Sequence, residues 1–162
     1  MGQSEGDKGQ TAPGAVVGFA HAGVTVADME RSLRFYRDLL GFTVEADYLI
    51  DTPYIFAITA TEGQAVRIVY LAIPHSEVRL ELLEYRGGQR QAAASRPCDP
   101  GNSHLSLRVA NIAAFHRRLV AGGFTARSAA PVAITQGPRA GNQALYAVDP
   151  DGYFIEIVEV RG

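Results

Sequence analysis

Two histidines and two glutamates stand at matching places in two similar stretches of the chain. His21 opens the phrase His21-Ala-Gly-Val-Thr-Val-Ala-Asp28, and His104 opens His104-Leu-Ser-Leu-Arg-Val-Ala-Asn111. Glu81 sits in Leu80-Glu-Leu-Leu-Glu84, and Glu156 sits in Ile155-Glu-Ile-Val-Glu159. Between them Gly41-Phe42-Thr43 returns as Gly123-Phe124-Thr125. Three matched phrases in one order argue for a duplicated unit. Two imidazoles and two carboxylates suit one divalent ion such as Ni, Co, Zn, Mn or Fe. Four protein donors on a six-coordinate ion leave room for water or substrate. Such an ion polarises a carbonyl and stabilises a developing enediolate. A carboxylate beside it can take the proton next to that carbonyl. Glu81 and Glu156 are therefore candidate proton carriers as well as candidate ligands.

The elements must bring these side chains to one surface. Residues 19–26 are β-branched and alternating, and read as a strand. Asp28 is a good helix cap, and Leu33, Tyr36, Leu39 and Leu40 follow with helical spacing up to Gly41. Residues 42–50, 54–60, 65–73 and 78–85 read as strands. The second unit repeats the order. It has a strand at 103–109, a cap at Asn111, and a helix lined by Ile112, Phe115 and Leu119 that ends at Gly122-Gly123. Strands at 124–128, 143–148 and 153–160 complete it. Residues 128–142 form a long irregular stretch, either a lid or a surface loop.

Side chains alternate faces along a strand. Leu105, Leu107 and Val109 share one face; His104, Ser106 and Arg108 share the other. The same parity puts His21, Thr25, Glu81 and Glu156 opposite the small apolar rows that would pack on helices. Thr25, Arg67, Arg79, Ser106 and Arg108 are candidate substrate contacts on that inward face, an Arg there being able to grip a carboxylate or phosphate. Glu84 and Glu159 fall on the other parity and read as solvent or edge charges. His75 and His116 lie outside the pattern and read as surface residues. Tyr48, Tyr54 and Phe56 read as core or pocket wall.

Bulk properties narrow the function classes. The 162 residues carry a net charge of −2, which offers no general attraction to nucleic acid or an anionic membrane. No apolar run is long enough to span a bilayer, and no signal peptide is visible at the N-terminus. The lone Cys98 excludes an intrachain disulfide and fits a reducing, cytoplasmic compartment. Residues 1–17 read as a disordered leader, 18–86 as a first module, 87–101 as a Gly/Pro-punctuated linker and 102–162 as a second module.

The stretches His21 to Val44, Glu81 to Tyr85, Gly101 to Asn111 and Asp149-Pro-Asp-Gly-Tyr-Phe-Ile-Glu-Ile-Val-Glu159 resemble the vicinal oxygen chelate superfamily. That group holds glyoxalase I, methylmalonyl-CoA epimerase, extradiol dioxygenases and the fosfomycin and bleomycin resistance proteins. The resemblance implies an α+β fold of two tandem βαβββ modules forming a cupped, incomplete β-barrel with helices outside. It implies a metal held by His21, Glu81, His104 and Glu156, a set similar to that of glyoxalase I. Bacterial glyoxalase I carries an Arg where this chain has Thr25 and an Asn where it has Tyr85, two residues that help hold glutathione. The expectation is therefore a metal-dependent isomerase, epimerase or lyase of a small vicinal-oxygen substrate, without commitment to glutathione or coenzyme A. One alternative is an Fe(II) dioxygenase using His21, His104 and Glu156. Another is a dimeric small-molecule binding protein without catalysis. Open sheet edges and the resemblance favour a homodimer. The site closes either within one chain or between two.

Overall fold

The computed structural model describes residues 12–93 and 96–160. The expected leader falls largely outside the described residues. Two mixed sheets carry the chain. The first is ordered β1-β4-β3-β2, from β1 (Ala22–Thr25), β2 (Thr43–Ile50), β3 (Ala65–Ala72) and β4 (Arg79–Arg86). The second is ordered β5-β9-β8-β6, from β5 (His104–Val109), β6 (Thr125–Ala126), β8 (Gln143–Val148) and β9 (Phe154–Glu159); β7 (Val132–Ala133) adds to β8. In both, the strand bearing the His runs parallel to the strand bearing the Glu. Both His strands are sheet edges, and the sheets do not close into a barrel.

The helix starts follow their caps. Asp28 accepts from Arg31 N to open α1 (Met29–Leu33), and Asn111 accepts from Ala114 N to open α3 (Ile112–Ala121). Helix α1 widens into a π-helical stretch at Arg34–Leu39. Gly41 and Gly123 then stop the helices at positive φ, where a side chain would be strained. Glu159 is no idle edge charge: its Oε1 accepts from Ile112 N at 3.2 Å and tops the first turn of α3.

The segment expected as a strand at 54–60 is instead α2 (Tyr54–Thr59). Pro53 precedes its first turn, and Ala60 ends it in the left-handed region. The apolar run Tyr54-Ile-Phe-Ala-Ile58 carries no periodicity that separates a strand from one short helix. The stretch 128–142 is not wholly irregular, since Val132–Ala133 pairs with Gln143–Ala144 and Ile134 N bonds Asn142 O.

One core serves both modules. Phe35, Tyr36, Leu80 and Leu82 of the first meet Ile112, Leu119, Ile155 and Ile157 of the second, all fully buried. Truncating Leu119 to Ala would cost about 2–5 kcal/mol. The core holds the helices and the apolar rows of both sheets, so these rows face each other across it. The opposite faces of the two sheets look away from each other, and the first of them carries α2, whose Phe56 meets Tyr85 on the Glu81 side of β4. The faces that carry the His and Glu side chains are these outer ones.

Candidate metal centre

Each module builds the same small constellation. His21 Nε2 lies 3.1 Å from Glu81 Oε2, and His104 Nε2 lies 3.8 Å from Glu156 Oε2. An ion about 2.1 Å from two donors at a right angle holds them about 3 Å apart. Both pairs therefore come near the edge of a coordination polyhedron, and the donor chemistry fits a divalent ion of the late first row. Among the described residues no group of three or more His, Cys, Asp or Glu gathers. Within one chain the structure brings the four residues together as two pairs, not as a quartet.

A tyrosine completes each pair, and sequence reasoning missed both. Tyr70 on β3 is the cross-strand neighbour of Glu81, and Tyr146 on β8 is the cross-strand neighbour of Glu156. The Tyr70 ring meets His21 edge-on at 5.5 Å, and the Tyr146 ring meets His104 at 5.3 Å. The hydrogen bond to Glu81, with burial and that residue's charge, holds the Tyr70 phenol well above its ordinary pKa. It stays a donor. Burial and the charge of Glu156 raise Tyr146 in the same direction. The repeated phrases Val69-Tyr70-Leu71 and Leu145-Tyr146-Ala147, each one hairpin before a Glu strand, were the available signal.

The candidate substrate residues separate. Ser106 lies on the His104 face, and its Oγ donates to Glu156 Oε2 at 2.5 Å. Arg108 follows on the same face, exposed, with no ion pair or side-chain hydrogen bond among the described residues. Arg79 shares the Glu81 face, but its Nε donates to Glu45 at 2.5 Å and its Nη1 to the Glu77 carbonyl. Arg67 is a correction. It pairs with Glu84 across the ladder, on the side opposite Glu81, and grips Asp47 and Glu30 of α1. It belongs to the helix side and cannot reach a substrate held by Glu81. Thr25 stands exposed at the end of β1, on the wall of a cavity of about 730 Å³. That cavity lies beside the β1 edge, under linker residues such as Gln91 and Gly101, and touches neither His/Glu pair.

The Asp149-Pro-Asp-Gly turn does structural work at the junction of the modules. Asp149 accepts from Tyr36 OH at 2.9 Å and from the backbone of Asp151 and Tyr153. Asp151 accepts from Ala27 N and pairs with Arg31. Burial raises Asp149 above the ordinary carboxylate range despite those hydrogen bonds.

Comparison with known proteins agrees with this architecture. Residues 18–157 match the model of the Glyoxalase/Bleomycin resistance protein/Dioxygenase superfamily, and the chain belongs to that superfamily. It is 26% identical over 154 residues to a 2-epi-5-epi-valiolone epimerase from Actinomyces sp., covering 94% of this chain and 84% of the relative. A glyoxalase family protein from Bacillus cereus superposes with a TM-score of 0.76 at 17% identity, over 94% of this chain and 100% of that one. The trypanothione-dependent glyoxalase I of Leishmania major gives 0.57 at 22% identity, over 86% and 84% of the two chains. Among the described residues no helix is long and apolar enough to cross a membrane.

Proposed function

We propose that this protein is a divalent-metal-dependent epimerase or isomerase of a small hydroxylated ketone. It would act as a homodimer, each site joining His21 and Glu81 of one chain to His104 and Glu156 of its partner. The observation that carries the reading is the pair of matched His/Glu constellations on the outer faces of the two sheets. His21 and Glu81 have the spacing of two neighbouring donors, His104 and Glu156 stand wider at 3.8 Å, and each pair lies beside an unpaired edge strand. An edge strand presents unpaired backbone groups and invites a second chain. A two-fold axis would then set β1 of one chain beside β5 of the other. The similarity to an epimerase whose substrate name denotes a ketone supports the reaction class.

The ion would be held by His21, Glu81, His104 and Glu156, and would supply Lewis-acid polarisation of the ketone oxygen. The protein's own groups do the rest. The Glu156 carboxylate takes the proton from the carbon next to the carbonyl, and Glu81, from the other module, can return one on the opposite face. Ser106 donates to the Glu156 carboxylate, and Tyr70 stands across the ladder from Glu81. Arg108, the uncommitted guanidinium on the Glu156 face, binds a substrate oxygen. The rings of Tyr48 and Tyr70, stacked at 6.4 Å, wall the Glu81 side and limit water.

Elemental analysis of the native protein and of His104→Ala tests this reading. We expect on the order of one divalent ion per chain, lost in the variant. The native protein should wash deuterium from D2O into the α-carbon of 2-hydroxy ketones. Binding of such ketones with no ion, even after reconstitution, and no exchange would point to a binding protein instead.

A further inference from the structure

The duplicated unit contains its own control experiment. Gly23 and Ser106 occupy equivalent places, each shortly after the module's His and each the cross-strand neighbour of its Glu. The fold therefore needs no side chain at this point. Crowding does not force the glycine either. A Cβ on Gly23 would sit 3.5 Å from Glu81 Oε2 and 3.5 Å from Leu83 Cδ1, both ordinary contacts.

What differs is how each carboxylate is held. Glu81 is 8% exposed and has Tyr70 as its neighbour across the ladder. Glu156 is more open, and Tyr146, in the place of Tyr70, turns its hydroxyl toward His104 Nε2 at 3.5 Å instead. Ser106 Oγ fills the gap at 2.5 Å from Glu156 Oε2, the oxygen nearer to His104. A hydroxyl donating to a carboxylate at that distance is a strong, charge-assisted hydrogen bond. A free glutamate pays rotamer entropy when it is fixed, and an outer partner that fixes it beforehand strengthens its binding to a metal.

We propose that Ser106 is a positioning residue, holding the Glu156 carboxylate in the orientation in which it binds the divalent ion. Ser106 then contacts a ligand and not the substrate. This rests on the metal-centre reading given above.

Cobalt(II) titration of metal-stripped protein, followed by its visible absorption, separates the two ideas. The proteins compared are native, Ser106→Ala, Ser106→Thr and Glu156→Gln. We expect Ser106→Ala to bind cobalt about 10-fold more weakly, with an altered absorption band and an unchanged melting temperature. Ser106→Thr, which restores the hydroxyl, should return within about 3-fold of native. Native-like affinity in Ser106→Ala, while Glu156→Gln loses the ion, would overturn the role of Ser106 and leave the metal centre standing. A Thr variant as weak as the Ala variant would overturn it too, since the hydroxyl would not be the cause. If the native protein takes up no cobalt, or Glu156→Gln binds it like native, the metal reading fails and this role fails with it.

Discussion

A carboxylate works as a base only where it is both ionised and aimed. Glu156 is aimed by Ser106 and flanked by His104, and its side chain keeps access to solvent. Exchanging its carboxylate for an amide removes the proton acceptor and an anionic metal donor together. Glu156→Gln should lower turnover by about 10²–10⁴-fold. Full turnover in that variant with metal bound would show that another group carries the proton. The four ligand candidates were legible because the repeat matched them in type, order and strand parity. Tyr70 and Tyr146 were equally repeated, but a phenol announces itself less than an imidazole, and its partner lies one hairpin away. Arg67 was misplaced because parity was read strand by strand. The register sets it opposite Glu84, on the parity away from Glu81, and so on the helix side. Glu159 escaped because capping a distant helix is a tertiary contact that no local pattern shows.

Among the elements, the junction between modules depends on one buried acid. Asp149, at the end of β8, reaches Tyr36 in the π-helical stretch of the other module. Asp149→Ala leaves that phenol and two backbone donors without their acceptor and should cost about 2–3 kcal/mol of stability. Asp149→Asn keeps an acceptor and separates hydrogen bonding from charge. Burial raises the folded-state pKa of Asp149, so the fold favours the neutral acid. That contribution is present in full below the unfolded carboxylate pKa and fades as pH rises through the folded value. Asn cannot ionise. Its stability relative to native should therefore rise with pH across the carboxylate range and then level off. Urea unfolding at a series of pH values checks this; a difference that stays constant would mean that Asp149 ionises without penalty. The Asp-Pro-Asp-Gly phrase was visible as a family mark, yet its partners lie far away in sequence, so its latching role was not. Most strand positions and the caps could be read from alternation and from Asp28 and Asn111. Helix α2 could not, because a short apolar run is ambiguous until Phe56 packs on Tyr85.

At the scale of the molecule, the helices decide where the site can be. Helices α1 and α3 pack in the core between the two sheets of one chain, so the His21/Glu81 and His104/Glu156 faces point apart. The duplication was legible from the sequence. The direction in which the two copies face was not, since it depends on how Phe35, Phe124, Tyr36 and Asp149 dock. A site shared between chains has a consequence that a site within one chain lacks. His21→Ala and His104→Ala should each be inactive alone. Mixed after unfolding and refolding together, half of the dimers would combine one of each. In every mixed dimer one site carries both damaged histidines, and the other pairs two intact faces. About a quarter of the native activity per chain should therefore return. Chains carrying both substitutions, mixed in the same way with either single variant, should return none, because every site then holds at least one alanine. Recovery in the first mixture would place the four ligands across the two-fold axis. No recovery, with mixed dimers shown by mass, would mean that each chain closes its own site by swinging one module about the linker.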